Sequence, residues 1–265
     1  MITENNSSKS DVGSIDPENP AIAYDCYPTL PSTHQWALRQ SKLPIAPNHL
    51  KVIIAHTQTH GVGSHQRSWL SGTHDFHINL IFNAHQILPF AQLAAYTVCM
   101  FLEQEIPQAV HLKWPNDVCV GGAKISGCLA TVRGHWVTIG VGINYNLEAF
   151  KTIDQPVTSV RQLLNQNTPF SQTAIFGKIQ RFSRLFMSHW LTYSNQPIAL
   201  SDACSSYWLY LHQNVTIFDE DQQQWLNGLF QAVLPNGGLQ LKLDSGHTTT
   251  ILNGTHLQPL NRAIL

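Results

Sequence analysis

The run Lys113-Trp-Pro-Asn-Asp117 and the lysine that follows it at position 124 are the side chains best suited to chemistry in this sequence. Proline lacks the backbone N–H that a strand ladder needs, so Pro115 is expected to end a strand and to fix the polar pair after it at a rigid corner. The Gly121-Gly122 pair predicts a hairpin turn that returns Lys124 on the neighbouring strand. An ammonium group there can meet a carboxylate or a phosphate, although most lysines are only solvated surface residues.

A polar loop over residues 57–77 is the second candidate, because it carries glycine and histidine throughout and has no hydrophobic period. Near its start Gln58 is followed by Gly61 and Gly63, and glycines allow backbone N–H groups to approach an anion or a carbonyl closely. Long loops in compact domains are usually functional or disordered. By itself the pattern fits either a ligand loop or a plain flexible connection.

Hydrophobic periodicity predicts the elements that must hold these segments. We expect helices over residues 90–102 and 174–191, and a shorter helix that begins with Ser32 or Thr33 as its N-cap. Strands are expected at residues 52–55, 79–82, 110–113, 118–120, 125–132 and 137–141. This pattern predicts an α/β fold of the α+β type, in which a mixed β-sheet carries helices packed on one face.

The chain changes character after Trp208. Short strands are expected at residues 215–218, 228–234, 239–243 and 248–252, separated by turns rich in Gly and Asn. They predict a small C-terminal β-barrel of about fifty residues. The N-terminal residues have the polar composition of a disordered tail. We therefore divide the chain into a disordered tail (1–24), a larger domain (25–211) and the barrel (212–265).

Composition excludes several classes of protein. Only 12% of the 265 residues are charged and the formal net charge is -1, so there is no basic excess to neutralise nucleic-acid phosphates. The N-terminus has no signal-peptide pattern, and the longest apolar segment is too short for a bilayer. The five cysteines are scattered without zinc spacing. We expect free thiols in a cytoplasmic protein that binds neither membrane nor nucleic acid directly.

The 14 histidines raise the alternative of a metal-binding loop. Five of them lie in or beside the long loop: His56, His60, His65, His74 and His77. A zinc site needs three or four converging ligands with fixed spacing, and no cysteine or acidic partner completes such a pattern here. Solvated or buried histidines are therefore the favoured interpretation, and no metal ligand set is predicted in the protein.

Four segments together resemble the biotin–protein ligase family. K-W-P-N-D, with K-x-x-G from Lys124 to Gly127, is similar to the signature of that family. The loop from Gln58 to Trp69 resembles its ligand loop, Q-x-x-G-R-G-R-x-G-R-x-W. Residues 31–34 and 140–146 resemble its S-T-N and G-x-G-x-N segments. The resemblance implies that residues 25–211 form the catalytic domain, that the C-terminal barrel is SH3-like, and that the chain is a short form without an N-terminal DNA-binding domain.

The resemblance also implies a role for each matching residue. Lys124 would hold the biotin carboxylate and the α-phosphate, Asp117 would help to deprotonate the acceptor lysine, and Arg67 would face phosphate. Trp114 would form a wall of the site. The implied biotin site consists of Ser32, Thr33, His34, Gln58, Gly61, Gly63, Ser64 and Lys124. The implied nucleotide site consists of Arg67, Trp69, Asn116 and Asn144.

The implied reaction activates biotin with ATP and Mg²⁺ to biotinyl-AMP and transfers biotin to a lysine of a biotin carboxyl carrier protein. Val62 and Ser64 stand where the family has basic residues, and Gln66 replaces a glycine. We therefore expect biotinyl-AMP to be held less tightly than in the family. Two alternatives stay open: a lipoate ligase or lipoyl/octanoyl transferase, which shares the related fold, and a carrier-binding pseudoenzyme with a degenerate ligand loop.

Overall fold

The computed structural model describes residues 11–40, 44–70, 72, 74–147 and 155–260. The strands, in chain order, are β1 (Asp11–Ile15), β2 (Ile22–Leu30), β3 (Leu50–Gln58), β4 (Gly61–Val62), β5 (Ser68–Trp69), β6 (Phe76–Asn83), β7 (Val110–Lys113), β8 (Asp117–Val120), β9 (Ala123–Arg133), β10 (Trp136–Ile143), β11 (Asn214–Asp219), β12 (Gln224–Val233), β13 (Leu239–Leu243), β14 (Thr248–Ile251) and β15 (Gly254–Pro259). The helices are α1 (Thr33–Arg39), α2 (Phe90–Leu102), α3 (Val160–Leu163), α4 (Gln172–Tyr193) and α5 (Pro197–Cys204).

Eight strands form the larger sheet, in the order β1-β2-β3-β6-β10-β9-β8-β7. Strands β2 and β3 are parallel, and the other neighbouring pairs are antiparallel. The mixed sheet predicted from the sequence is therefore confirmed. Helices α2 and α4 match the two long predicted helices, and Ser32 is the N-cap of α1 because its side chain accepts from the backbone N–H of Gln35.

The two faces of this sheet differ in character, because side chains alternate along each strand. On β6, Phe76, Ile78 and Leu80 face the main core, which α2 and α4 complete. The residues between them, His77 and Asn79, are buried on the opposite face. The short helix α1 packs against that second face, over β3, β6 and β10. The long helices thus lie on one face as predicted, while α1 leaves room for a polar site on the other.

The C-terminal strands form a curled antiparallel sheet in the order β14-β13-β12-β11-β15. Residues 252–253 alone connect the two edge strands, and three chain steps span at most about 10 Å, so the edges must approach each other. No ladder of hydrogen bonds joins those edges in the described residues. The predicted C-terminal β-strands and their antiparallel sheet are therefore confirmed, and the edges of the barrel are not closed by hydrogen bonds among the described residues, because turn patterns identify strands but edge closure depends on curl. The domain boundary at residue 212 stays a prediction.

The predicted disordered tail is wrong for residues 11–24. Strand β1 pairs with β2, and the carboxylate of Asp16, which is 1% exposed, accepts a hydrogen bond of 2.7 Å from the Tyr24 hydroxyl. Arg184 of α4 lies 3.3 Å from the same carboxylate. A polar composition suggested disorder because the sequence does not reveal that these groups satisfy one another. Residues 1–10 of that tail lie outside the described residues. No helix in the described part of the chain has both the length and the apolar character to cross a bilayer.

Candidate active site

A cavity lies on the second face of the large sheet, between the start of α1, the β4–β5 loop and strands β8–β10. Ten of the residues predicted for the site line it: Ser32, Thr33, His34, Gln58, Gly63, Ser64, Trp69, Asn116, Asp117 and Lys124. They come from segments more than ninety positions apart in sequence, and the sheet register brings them together. Three predicted residues, Gly61, Arg67 and Asn144, do not line the cavity.

The β8–β9 hairpin sets the charged end of the cavity. Its turn is Gly121-Gly122, where both residues have positive φ, the conformation that glycine adopts without a steric penalty. The hairpin brings the Lys124 ammonium to 2.7 Å from the Asp117 carboxylate, and both side chains are mostly buried. Lys124 also lies 5.4 Å from the centre of the Trp69 ring. Among the described residues, Lys124 is the one lysine or arginine that lines the cavity.

The segment before Asp117 is fixed from both sides. The Asn116 side-chain amide donates to the carbonyl of Cys128, whose own N–H donates to the Asn116 carbonyl at 3.1 Å. On the far side the Trp114 indole is 2% exposed and donates to the carbonyl of Gly237 at 2.9 Å. Trp114 therefore anchors the strand to the C-terminal sheet and does not form the predicted wall of the site. This anchoring holds the polar corner rigidly beside Lys124.

The indole ring of Trp69 covers one side of the cavity. A methyl group placed on Gly142 would lie 2.7 Å from its indole ring, and one on Gly127 would lie 3.1 Å from it. Gly142 and Gly127 are paired across β10 and β9, so together they form a flat surface on which the indole rests. Gly61 pairs with Trp69, and a side chain there would meet the Trp69 carbonyl at 2.6 Å. Gly61 of the ligand loop thus acts through close packing in this structure.

The opposite end of the cavity is polar and uncharged. The backbone N–H and the hydroxyl of Thr33 donate to the side-chain oxygen of Gln58 at 2.8 and 3.1 Å. His34 is 6% exposed, and burial, followed by the positive charge of Arg133, lowers its pKa to about 4. The imidazole is therefore neutral at pH 7. Its ring nitrogens lie 3.0 Å from the Asn79 side-chain nitrogen and 3.1 Å from the Thr131 hydroxyl.

Asn79, Thr131 and Thr138 are site-supporting residues that the sequence interpretation missed. Asn79 and Thr138 are both fully buried, and the Thr138 hydroxyl donates to the Asn79 side-chain oxygen. The available signal was a buried polar residue at every second position of a strand, which marks a sheet face that must satisfy hydrogen bonds. The alternation Phe76-His-Ile-Asn-Leu80 carries that signal.

Two predicted nucleotide contacts lie elsewhere in this structure. Arg67 is exposed, and its backbone carbonyl accepts from the N–H of Gly63 at 2.8 Å. The Asn144 side chain donates to the carbonyl of Thr158 at 3.1 Å, and the Thr158 N–H donates to the Lys124 carbonyl at 2.9 Å. Asn144 therefore braces the strand that carries Lys124. The nucleotide roles assigned to Arg67 and Asn144 stay predictions.

The loop histidines do not converge. Within the described residues no group of three or more His, Cys, Asp or Glu side chains is placed to hold a metal ion. His56 and His74 have ring centres 6.1 Å apart, and His77 is buried in the sheet. His65 instead lies 3.2 Å from the carboxylate of Glu220, at the turn between β11 and β12.

Comparison with known proteins agrees with this geometry. Residues 27–144 match the model of the Biotin/lipoate A/B protein ligase family. The chain is similar to biotin–protein ligase 1, chloroplastic, of Arabidopsis thaliana, with 26% identity over 74% of this chain and 55% of that protein. It is also similar to the biotin–[acetyl-CoA-carboxylase] ligase of Mycobacterium tuberculosis, with 31% identity over 42% of this chain and 45% of that protein. The chain thus spans about half the length of these curated relatives.

The fold is shared with a solved structure of biotin protein ligase from Aquifex aeolicus in complex with biotin and ATP. The two superpose with a TM-score of 0.69 at 21% identity, over 89% of this chain and 98% of that one. The residues that line the cavity all lie within the matched residues 27–144. The chain therefore shares the fold of that ligase, and residues 27–144, somewhat less than half of its length, match the biotin/lipoate A/B protein ligase family.

Proposed function

We propose that this protein is a biotin–protein ligase, which forms biotinyl-AMP from biotin and ATP and transfers biotin to a lysine of a biotin carboxyl carrier protein. The observation that carries the proposal is the polarity of a single cavity. One end is uncharged, with the hydrogen-bonding groups of Thr33 and Gln58 beside the neutral His34 ring, and the other holds the Lys124–Asp117 ion pair. That arrangement suits an acid with a neutral polar ring and a carboxylate at the far end of its chain.

In the first step a carboxylate oxygen of biotin attacks the α-phosphorus of ATP, and pyrophosphate leaves. The Lys124 ammonium is positioned to stabilise the negative charge that the carboxylate and the α-phosphate bring together. Mg²⁺ prefers oxygen ligands and usually binds through one or two carboxylates and substrate phosphates. The Asp117 carboxylate and the Asn116 amide at the same end of the cavity fit that donor set.

In the second step the amine of the acceptor lysine attacks the acyl carbon of biotinyl-AMP, and AMP leaves. The amine must first lose a proton, and within the described residues the Asp117 carboxylate is the acidic side chain that lines the cavity. When substrate anions draw Lys124 away, the Asp117 carboxylate is released from its ion pair and can accept a hydrogen bond from the incoming amine. Burial of both partners makes this exchange stronger than it would be on an open surface.

A carrier-binding pseudoenzyme is the second candidate, and one observation favours it. Arg67 is exposed and Ser64 is uncharged, so Lys124 provides the sole cationic side chain of the cavity within the described residues.

The proposed cytoplasmic location is supported by the five cysteines, which all lie in the described part of the chain and form no disulfide.

The experiment measures biotin-dependent pyrophosphate release and biotin transfer to a carrier domain, with lipoate in a parallel reaction. A ligase turns over biotin in preference to lipoate, and Lys124→Ala lowers pyrophosphate release to near the background rate. Lys242→Ala is the control, because Lys242 is exposed on the C-terminal sheet. Carrier binding without pyrophosphate release would identify the pseudoenzyme, and preferential use of lipoate would identify the lipoate branch of the family.

A further inference from the structure

A chain of hydrogen bonds behind the cavity determines the state of His34. Asn79 lies on β6, Thr138 on β10 and Thr131 on β9, on the same face of the sheet. Thr138 bonds Asn79, and Asn79 and Thr131 each bond one ring nitrogen of His34. His34 itself is the second residue of α1, so the chain joins the helix to three strands. A methyl group on Gly140 would lie 3.4 Å from His34 Nδ1, which places the imidazole directly over β10.

The directions of these bonds fix the tautomer of the ring. The Thr138 hydroxyl donates to Asn79 Oδ1, so the amide presents its nitrogen to His34. Asn79 Nδ2 lies 3.0 Å from His34 Nδ1, and an amide nitrogen only donates, so Nδ1 accepts and carries no proton. The neutral ring therefore carries its proton on Nε2, which donates to Thr131 Oγ1 at 3.1 Å.

Both ring nitrogens of His34 are thus occupied within the protein. A ligand in the cavity meets the carbon edge or face of an uncharged ring, whereas Thr33 and Gln58 supply polar groups at the same end. The charged side chain that acts on the ring is Arg133 of β9, which disfavours an imidazolium ion.

We propose that Asn79, Thr138 and Thr131 are positioning residues that lock His34 as a neutral, Nε2-protonated imidazole, so that His34 forms an uncharged wall of the cavity rather than a hydrogen-bond partner of the ligand. This assigns a different role to His34 from the direct biotin contact that the sequence resemblance implies. The lock does not depend on the ligand. Its consequence, selection for a substrate with an uncharged ring, rests on the proposed function.

The first test is nitrogen-15 NMR of the histidine side chains in the protein without ligand, with the His34 signals assigned from a His34→Gln variant. We expect the Nε2-protonated tautomer, with a pKa near 4. Asn79→Asp replaces the amide by acceptors alone, so the ring must place a proton on Nδ1 and the pKa of His34 must rise above 6.5. Asn83→Asp is the matched control, because Asn83 lies on the same strand and bonds the Ile45 carbonyl instead.

Thr138→Val is the second variant, since it removes only the hydroxyl that orients the Asn79 amide. We expect it to give a mixture of the two neutral tautomers. A wild-type His34 that is protonated on Nδ1, or that titrates near 6.5, would overturn the proposal. So would an Asn79→Asp protein in which the His34 pKa is unchanged.

The ligand arm measures the dissociation constant for biotin at pH 7 and pH 5.5. For Asn79→Asp we expect the dissociation constant to be about tenfold larger at pH 5.5 than at pH 7, because the His34 ring becomes charged. For Asn83→Asp we expect the same dissociation constant at both pH values. Binding that is equally strong at both pH values in Asn79→Asp would contradict the role of the wall. A protein that does not bind biotin would refute the proposed function. The NMR test of the His34 tautomer would remain valid, because it is made without ligand.

Discussion

A single methyl group at Gly142 tests whether the indole of Trp69 must rest on the sheet. The Cβ of Gly142→Ala would lie 2.7 Å from two carbons of the ring, whereas carbon atoms in good contact are about 3.5–4.0 Å apart. The indole must therefore move by roughly 1 Å. Gly142 does not have positive φ, so alanine is compatible with the backbone and the effect comes from packing alone.

Overpacking of this kind costs about 1–3 kcal/mol, which corresponds to a change of roughly five- to 150-fold in an equilibrium constant. Trp69 Nε1 has no hydrogen-bond partner in the described residues, so no hydrogen bond of the indole N–H holds the ring against displacement. We expect the cost to fall on the β4–β5 loop rather than on the whole fold. Ligand binding should weaken by roughly five- to 150-fold, while the melting temperature changes little.

Calorimetry with biotin and ATP measures the affinity, and the rate of tryptic cleavage after the exposed Arg67 reports on the loop. Gly140→Ala is the matched control, because Gly140 lies two positions away on the same strand and lines the same cavity. A methyl there meets its nearest neighbours at an ordinary 3.4 Å. Equal affinities and equal cleavage rates in the two variants would refute the inference that Trp69 is seated on Gly142.

Three other predictions follow from the site and the core. Asp117→Asn should slow biotin transfer more than biotinyl-AMP synthesis when the two half-reactions are measured separately, and equal losses would assign Asp117 to adenylation or to structure. Ser64→Arg adds a charge-assisted contact worth about 1–2 kcal/mol, so release of pre-formed biotinyl-AMP should slow roughly tenfold; unchanged release would contradict this. Burial lowers the pKa of His77 from 6.5 to about 4, so the unfolded chain takes up the proton first as the pH falls. The contribution of the neutral His77 ring to the free energy of unfolding is complete above about pH 6.5 and is lost between pH 6.5 and 4. Urea unfolding should show this loss as roughly 3 kcal/mol, and it should be missing from a His77→Phe variant.

The sequence alone determined the local features that act over a few residues. Pro115 and the Gly121-Gly122 turn specify a hairpin, and the hairpin gives the Lys124–Asp117 pair because the two strands are adjacent in the chain. The cap at Ser32 and the two long helices follow in the same way from side-chain chemistry and hydrophobic period. These features need no information about distant parts of the chain.

Tertiary structure alone decided the features that depend on register between distant strands. The contact of Asn79 with His34 joins residues 45 positions apart, and the seat of Trp69 requires that Gly142 and Gly127 lie opposite each other. Asp16 became buried because a tyrosine and an arginine from separate elements satisfy it. Composition and periodicity record how each residue prefers to be solvated, but a buried polar group is stable only where folding supplies its partner. That partner is fixed by the packing of the whole sheet.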